Sequence, residues 1–209
     1  MSNALLRLLT WFSPAFPIGG FAYSNGLEWA VEAGDVTNEA TLLAWVEDSL
    51  RAGPLWSDAI LLRLAHQGED VSELGMALCA SFERRLETSA QGAAFALAAQ
   101  PWPGVTWDDA PIPYAVAVGK LAAAHDVAAD DATLAFLHAA AANMVSAAIR
   151  LIPLGQAAGL RVQAALEPTI LKTAARSASA GADDLGGAAF ASDIAAMRHE
   201  TQYTRLFRT

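Results

Sequence analysis

The chain is poor in cysteine: Cys79 stands alone among 209 residues. One thiol closes no internal disulfide, and Met76, Leu78 and Phe82 around it mark a small core hydrophobe rather than a redox centre. Charge is also scarce, at 17% charged against 54% hydrophobic residues, which excludes a solvated, disordered polymer and predicts one domain with a sizeable core. No uncharged apolar run reaches the ~18 residues of a membrane span. The richest segment, 134–149, is interrupted by His138, Asn143 and Ser146, although mean hydropathy is +0.30. Arg7 breaks the apolar run near the start and no small-x-small cleavage site follows, so the expected location is cytoplasmic, without a secretory signal. Strand-like alternation and internal repeats are lacking too, which excludes sheet and solenoid folds.

What is abundant is alanine, a helix former that lets backbones approach closely. Punctuation by proline, glycine and capping residues then divides the chain. Helices are expected over 4–11, 27–33 and from Thr37 or Asn38 to Gly53. Others start at Pro54, cover 72–99 in one or two pieces, and resume over 114–125. The segment 134–149 keeps i, i+3, i+4, i+7 spacing, 154–166 continues beyond Pro153, and Pro168 starts a further helix to about 179. Residues 100–113 hold four prolines and form the longest loop, whereas 177–187 is small, polar and expected to be flexible. The fold class is therefore all-α: a single-domain bundle of about eight to ten helices, 1–197, followed by a partly mobile C-terminal tail, 198–209.

The net charge of -9 is uneven. Three arginines, Arg198, Arg205 and Arg208, make the last twelve residues basic, on a body that is strongly acidic. Such a body repels phosphate backbones and argues against nucleic acid as the main partner.

Catalytic and ligand motifs are missing. GGFAYSNG, 19–26, has glycines before a helix but no Lys-Ser or Lys-Thr and no preceding strand, so it does not read as a phosphate cradle. Ser24 lacks the glycine flanks and the sheet of a nucleophile elbow. His66, His125, His138 and His199 are scattered away from ligand spacing, which predicts no tight metal site; His138, on an apolar face, is expected to be a hydrogen-bonded core residue. Glu28 suits the first turn of its helix. The stretch FPIGGFAYSNGLEWA, 16–30, combines flexible glycines with Phe16, Phe21, Tyr23 and Trp29, and so fits a shaped protein-binding surface.

Three blocks, SPAFPIGGFAYSNGLEWAVEAG from residue 13, RLIPLGQ at 150–156 and MRHETQYTRLFRT at 197–209, together resemble the urease accessory protein F family over essentially the whole chain. The resemblance implies a non-catalytic, dimeric, all-helical protein that binds no cofactor and no metal tightly itself. It also implies a complex with the accessory GTPase UreG and with UreD/UreH that delivers nickel to the urease apoenzyme, with an influence on GTP hydrolysis. By the same resemblance, Arg150 lies towards the GTPase, the tail with His199, Glu200, Gln202, Tyr203, Arg205, Leu206 and Phe207 docks on UreD/UreH, and Gln156 is a further partner-binding residue. Glu28 joins these partner-binding residues, and Pro17, Gly19, Gly20, Tyr23 and Gly26 shape the loop or interface. Physically, a free basic tail is expected to be disordered until a partner orders it, with Phe190, Ile194 and Met197 forming the apolar face of a short helix before it. A second reading is a small helical enzyme with an acid-base site between helices, built from Glu28, His199 and Glu200.

Overall fold

Ten α-helices occur among the described residues, 3–209 of a computed structural model, and no strands do. They are α1 (Asn3–Trp11), α2 (Leu27–Glu32), α3 (Glu39–Ala52), α4 (Pro54–His66), α5 (Ser72–Ala77), α6 (Phe82–Ala98), α7 (Tyr114–Ala124), α8 (Ala129–Leu151), α9 (Gly155–Ser177) and α10 (Phe190–His199). Residues 1 and 2 of the expected 1–197 domain lie outside the described residues. Local chemistry sets several ends. Asn38 caps α3 by accepting from the amides of Ala40 and Thr41, while Thr41 accepts in return from the Asn38 amide. Pro54 occupies the first turn of α4, and Gly34, at φ 83, closes α2.

Helix α4 is the axis of the bundle. It is buried nearly all round, from Leu55 to Ala65, as expected for a helix covered on every side, and α3, α7, α8 and α9 surround it. Its closest neighbour is α7, where small residues set the spacing: a Cβ on Gly119 would lie 2.2 Å from the Leu62 carbonyl oxygen. Arg63, 6% exposed, ties three helices together, donating to Ser177 Oγ at 2.8 Å and the Ala174 carbonyl at 2.9 Å and pairing with Asp130 at 2.7 Å.

The aromatic residues of the opening loop answer largely to this core. Phe16 meets Phe95 and Trp102, Phe95 meets Tyr114, Tyr114 meets Phe136, and Phe12 closes on Phe136. Trp11 lies edge-on to Trp102. This chain of rings anchors 12–16 and the 100–113 loop to α6, α7 and α8, with centroid spacings typical of favourable aromatic pairs.

Four expectations change. Helix α9 runs through Pro168 without a break in its assignment, because Val162, Leu166 and Ile170 keep one face buried across it. His138 is exposed; the core side of α8 is taken by Leu137, Ala141, Met144 and Val145 instead. Helix α8 is long and apolar enough by length and composition to cross a bilayer, yet half of that window is buried inside the protein. Residues 180–188 are tied to α3 and α4, since the Trp56 indole donates to the Asp184 carbonyl at 3.1 Å and the Ala188 amide to the Ala52 carbonyl at 2.7 Å. Cys79 sits half-buried, and burial pushes its thiol up, in keeping with an inert role.

The α4–α7 contact yields a direct test. Gly119→Ala forces a methyl into the Leu62 carbonyl and should cost ~1–3 kcal/mol, the usual cost of overpacking, measured as a lowered urea midpoint with an unchanged slope.

Candidate partner-binding site

Three segments distant in sequence meet at one end of the bundle: the 19–28 loop and α2 start, the end of α8, and the tail. Loop shape depends on glycine. Gly19 and Gly26 have φ 71 and 75, and a Cβ on Gly26 would sit 2.7 Å from the Ala196 amide nitrogen, so only glycine lets the loop touch the α10 backbone. From α8, Asn143 donates to the Gly20 carbonyl at 2.8 Å and Arg150 to the Phe21 carbonyl at 2.8 Å. The tail closes the other side. The Arg208 amide donates to the Ala22 carbonyl at 2.9 Å, and the Ser24 amide to the Thr209 carbonyl oxygen at 2.6 Å.

Glu28 is the anchor of this arrangement. Only 6% exposed, its carboxylate accepts from the amides of Leu206 at 2.6 Å and Phe207 at 2.9 Å. It also meets His199 Nε2 at 3.0 Å. His199 is fully enclosed, and its Nδ1 faces Glu83 at 2.6 Å. Ionised carboxylates only accept, so every partner is satisfied when both ring nitrogens carry hydrogen. Arg205 then pairs with the second Glu83 oxygen at 2.8 Å. Gln202 reaches Glu32 on α2 at 2.5 Å, and Glu200 accepts from the Phe82 amide at 2.8 Å, at the start of α6, where negative charge is favoured. Phe207 is 4% exposed, with the Arg150 guanidinium 4.3 Å from its ring centre, a cation–π contact.

The inner side of α6 continues this polar seam. Arg84 pairs with Asp58 at 2.5 Å and with Glu87 at 3.5 Å, and Asn25 reaches Glu87 at 3.2 Å. Burial pushes the Asp58 and Glu87 carboxyls above their ordinary range. Burial alone would lower Arg84, but Asp58 and Glu87 together hold it above its usual value.

Most of the residues singled out in the sequence thus converge, but not all as expected. Tail residues His199, Gln202 and Phe207 are buried in this chain, so the expectation of a free tail is corrected: the acidic body supplies the groove, through Glu28, Glu32 and Glu83. Tyr203 is fully exposed, Leu206 is 65% exposed, and Arg205 is half-open beside them. Tyr23 is buried, Pro17 exposed, and Gln156 stands exposed in the first turn of α9. Helix α10 presents Phe190, Ile194 and Met197 outward, because its inner positions are alanines pressed against Gly26. An acid-base role for Glu28 and His199 is disfavoured geometrically: both ring nitrogens are engaged and no face of the ring is open to a substrate, while Glu200 points to α6. Sequence reasoning missed Glu83, Glu32, Asn143 and the Arg84 cluster. Glu83, Glu87 and Gln91 at helical spacing were the available signal, yet such a stripe normally faces water.

The comparisons with known proteins agree in direction. The UreF family model matches residues 36–167. The chain is 49% identical to a urease accessory protein UreF from Bradyrhizobium sp. (strain BTAi1), across 99% of this chain and 92% of that protein. It is 48% identical to one from Rhodopseudomonas palustris (strain BisA53), across 100% and 94%, and 47% identical to one from Mesorhizobium japonicum, across 100% and 97%.

Glu28→Ala should strand the buried Phe207 amide, the part-buried Leu206 amide and His199, losing ~1.5–3 kcal/mol of tail seating; hydrogen exchange at Leu206 and Phe207 should accelerate about ten- to a hundredfold. Truncation after Met197 removes the donors to Glu28 and Glu83 and should lower the melting temperature by about 5 °C or more. A truncated protein melting with the full chain would contradict this seating.

Proposed function

The chain belongs to the UreF family of urease accessory proteins, and we propose that it scaffolds nickel insertion by bridging the GTPase UreG and UreD/UreH. Its family consists of accessory proteins and not of enzymes, so its work is recognition. In this reading the exposed ridge of Phe21, Arg150, Tyr203 and Leu206 is the contact surface, and the seated tail is its foundation. The observation that carries the reading is the convergence of the three resembling blocks on one end of the bundle, with apolar groups left in solvent above a tightly bonded base. Phe21 is 70% exposed although its own carbonyl is held by Arg150. Rigid, pre-ordered aromatic and aliphatic groups bind with little entropy cost.

Further parts of the proposal are a cytoplasmic setting, a homodimer, delivery to the urease apoenzyme, and an influence on GTP hydrolysis exerted through the Arg150 side of the ridge. Neither nucleic acid nor a membrane is a partner. Nickel is cargo of the complex and is not held tightly by this chain alone. In support, no group of three or more His, Cys, Asp or Glu among the described residues is placed to hold a metal ion.

Two measurements test this. Tyr203→Ala, at a fully exposed position, should leave the melting temperature unchanged but weaken UreD/UreH binding by ~1–4 kcal/mol, the range of an interface anchor. Arg150→Ala loses the Phe207 contact and the Phe21 carbonyl bond, and should reduce UreG recruitment more than thermal stability. Unchanged affinity in both variants would remove the ridge as the binding surface. Calorimetry finding one tightly bound nickel per isolated chain would overturn the cargo assignment.

A further inference from the structure

Asp193, in the first turn of α10, is a half-buried carboxylate that accepts no hydrogen bond from the described residues. It lines two adjoining cavities, which also share Pro54, Ala80 and Arg84. The larger, of about 70 Å³, lies between α4, the start of α6 and the glycines Gly186 and Gly187. The smaller, of about 20 Å³, lies between α6, Asn25 and Gly26 of the loop, and Thr209 of the tail.

The walls of the smaller cavity hold acceptors that nothing in the chain fills. Glu87, 3% exposed, gives its Oε1 to Asn25 and Gln91, while Oε2 has Arg84 at 3.5 Å and no hydrogen bond. Thr209 is 2% exposed, and its hydroxyl has no partner at all. Buried polar atoms are nearly always met, because leaving them unmet is destabilising. Two such atoms on the wall of one small void therefore call for a bound group.

The balance of charge says which kind. Arg84 is the single cation lining either cavity, against Asp58, Glu83, Glu87 and Asp193. Glu83 is met from outside by His199 and Arg205, and Arg84 is drawn to Asp58 and Glu87, so Asp193 keeps its charge uncompensated. Burial pushes its carboxyl up, as it does for a carboxylate without a cation beside it. A divalent metal ion requires several converging ligands, and no three His, Cys, Asp or Glu among the described residues are placed for one. Acceptors set apart on facing walls suit instead a cation that carries its own N–H donors. The smaller void has room for one group little larger than a water, and the larger for a planar group of a few heavy atoms.

We infer that the paired cavities beside Asp193 bind one monovalent N–H cation, an ammonium or a guanidinium group. Its donors join Asp193 on α10 to Glu87 on α6, next to the glycine loop and the tail, so that occupancy stiffens the same end of the bundle that Glu28 holds together. Such a group comes either as a free ion or as the end of a basic side chain.

Amide NMR titration of the full chain tests this, with ammonium chloride and methylguanidinium chloride added separately, the second being the end of an arginine side chain. Tetramethylammonium chloride, which has the charge and no N–H donor, is the control. The amides of Asn25, Glu87, Asp193 and Thr209 should shift saturably with an N–H cation and not with the control. Tighter ammonium binding assigns a free ion in the smaller cavity; tighter methylguanidinium binding assigns a side-chain end in the larger. Asp193→Asn keeps the shape and removes the charge, and should weaken binding about tenfold or more, the loss of a charge-assisted hydrogen bond. Without the probe, this variant should melt at or above the wild-type temperature, because an unpaired carboxylate has been removed; a lower melting temperature gives Asp193 a structural role and overturns the inference. If Asp193→Asn fails to fold, Thr209→Val decides: weakened binding supports the site and unchanged binding refutes it. Equal shifts with tetramethylammonium, or no saturable response to either N–H cation, refute the site as well.

Discussion

A carboxylate buried in a protein must be met by donors, and the end of this molecule that carries its candidate site is organised around that demand at Glu28. Leaving such a group unpaired costs several kcal/mol (~3–5). Two main-chain amides of the tail and the His199 ring supply its partners. The seating of the tail and the first turn of α2 are therefore one structural event. His199 extends the event to α6 through Glu83, and Arg205 closes it from the tail.

The seam differs in kind from the rest of the core. Around α4 the contacts are apolar and close, with glycine and alanine setting the distances. At the α6 side of α2, α10 and the tail they are ionic and hydrogen-bonded. Polar interfaces specify geometry because each donor must find its acceptor, whereas apolar ones tolerate shifts. A recognition surface benefits from the first kind beneath it: Tyr203 and Leu206 project from a backbone fixed by directional bonds.

This explains why large apolar side chains remain outside. Helix α10 must come close to Gly26 for the tail to reach Glu28, and alanines on its inner side permit that approach. Phe190, Ile194 and Met197 are then turned to solvent as a geometric consequence. The exposure of Leu160 and Leu171 on α9 has a parallel origin, since Val162, Leu166 and Ile170 already use the inward face. In both helices, apolar residues exceed what one chain can bury, which is a common mark of surfaces that meet other proteins.

Much of this was legible in the residues themselves. Helix class follows from alanine content, spacing and punctuation, all of which act within a few residues; the α3 cap at Asn38 and the start of α4 at Pro54 are examples. The three blocks pointing to the family are likewise local strings. The direction in which α10 faces, the passage of α9 through Pro168, the exposure of His138 and the meeting of Glu28 with His199 and Glu83 were decided only by the tertiary structure. Each depends on which distant surface lies opposite. A buried ion pair reads in sequence like any solvated charge, because burial belongs to the packing of several segments and not to the residue, and no local pattern encodes the partner that makes it affordable.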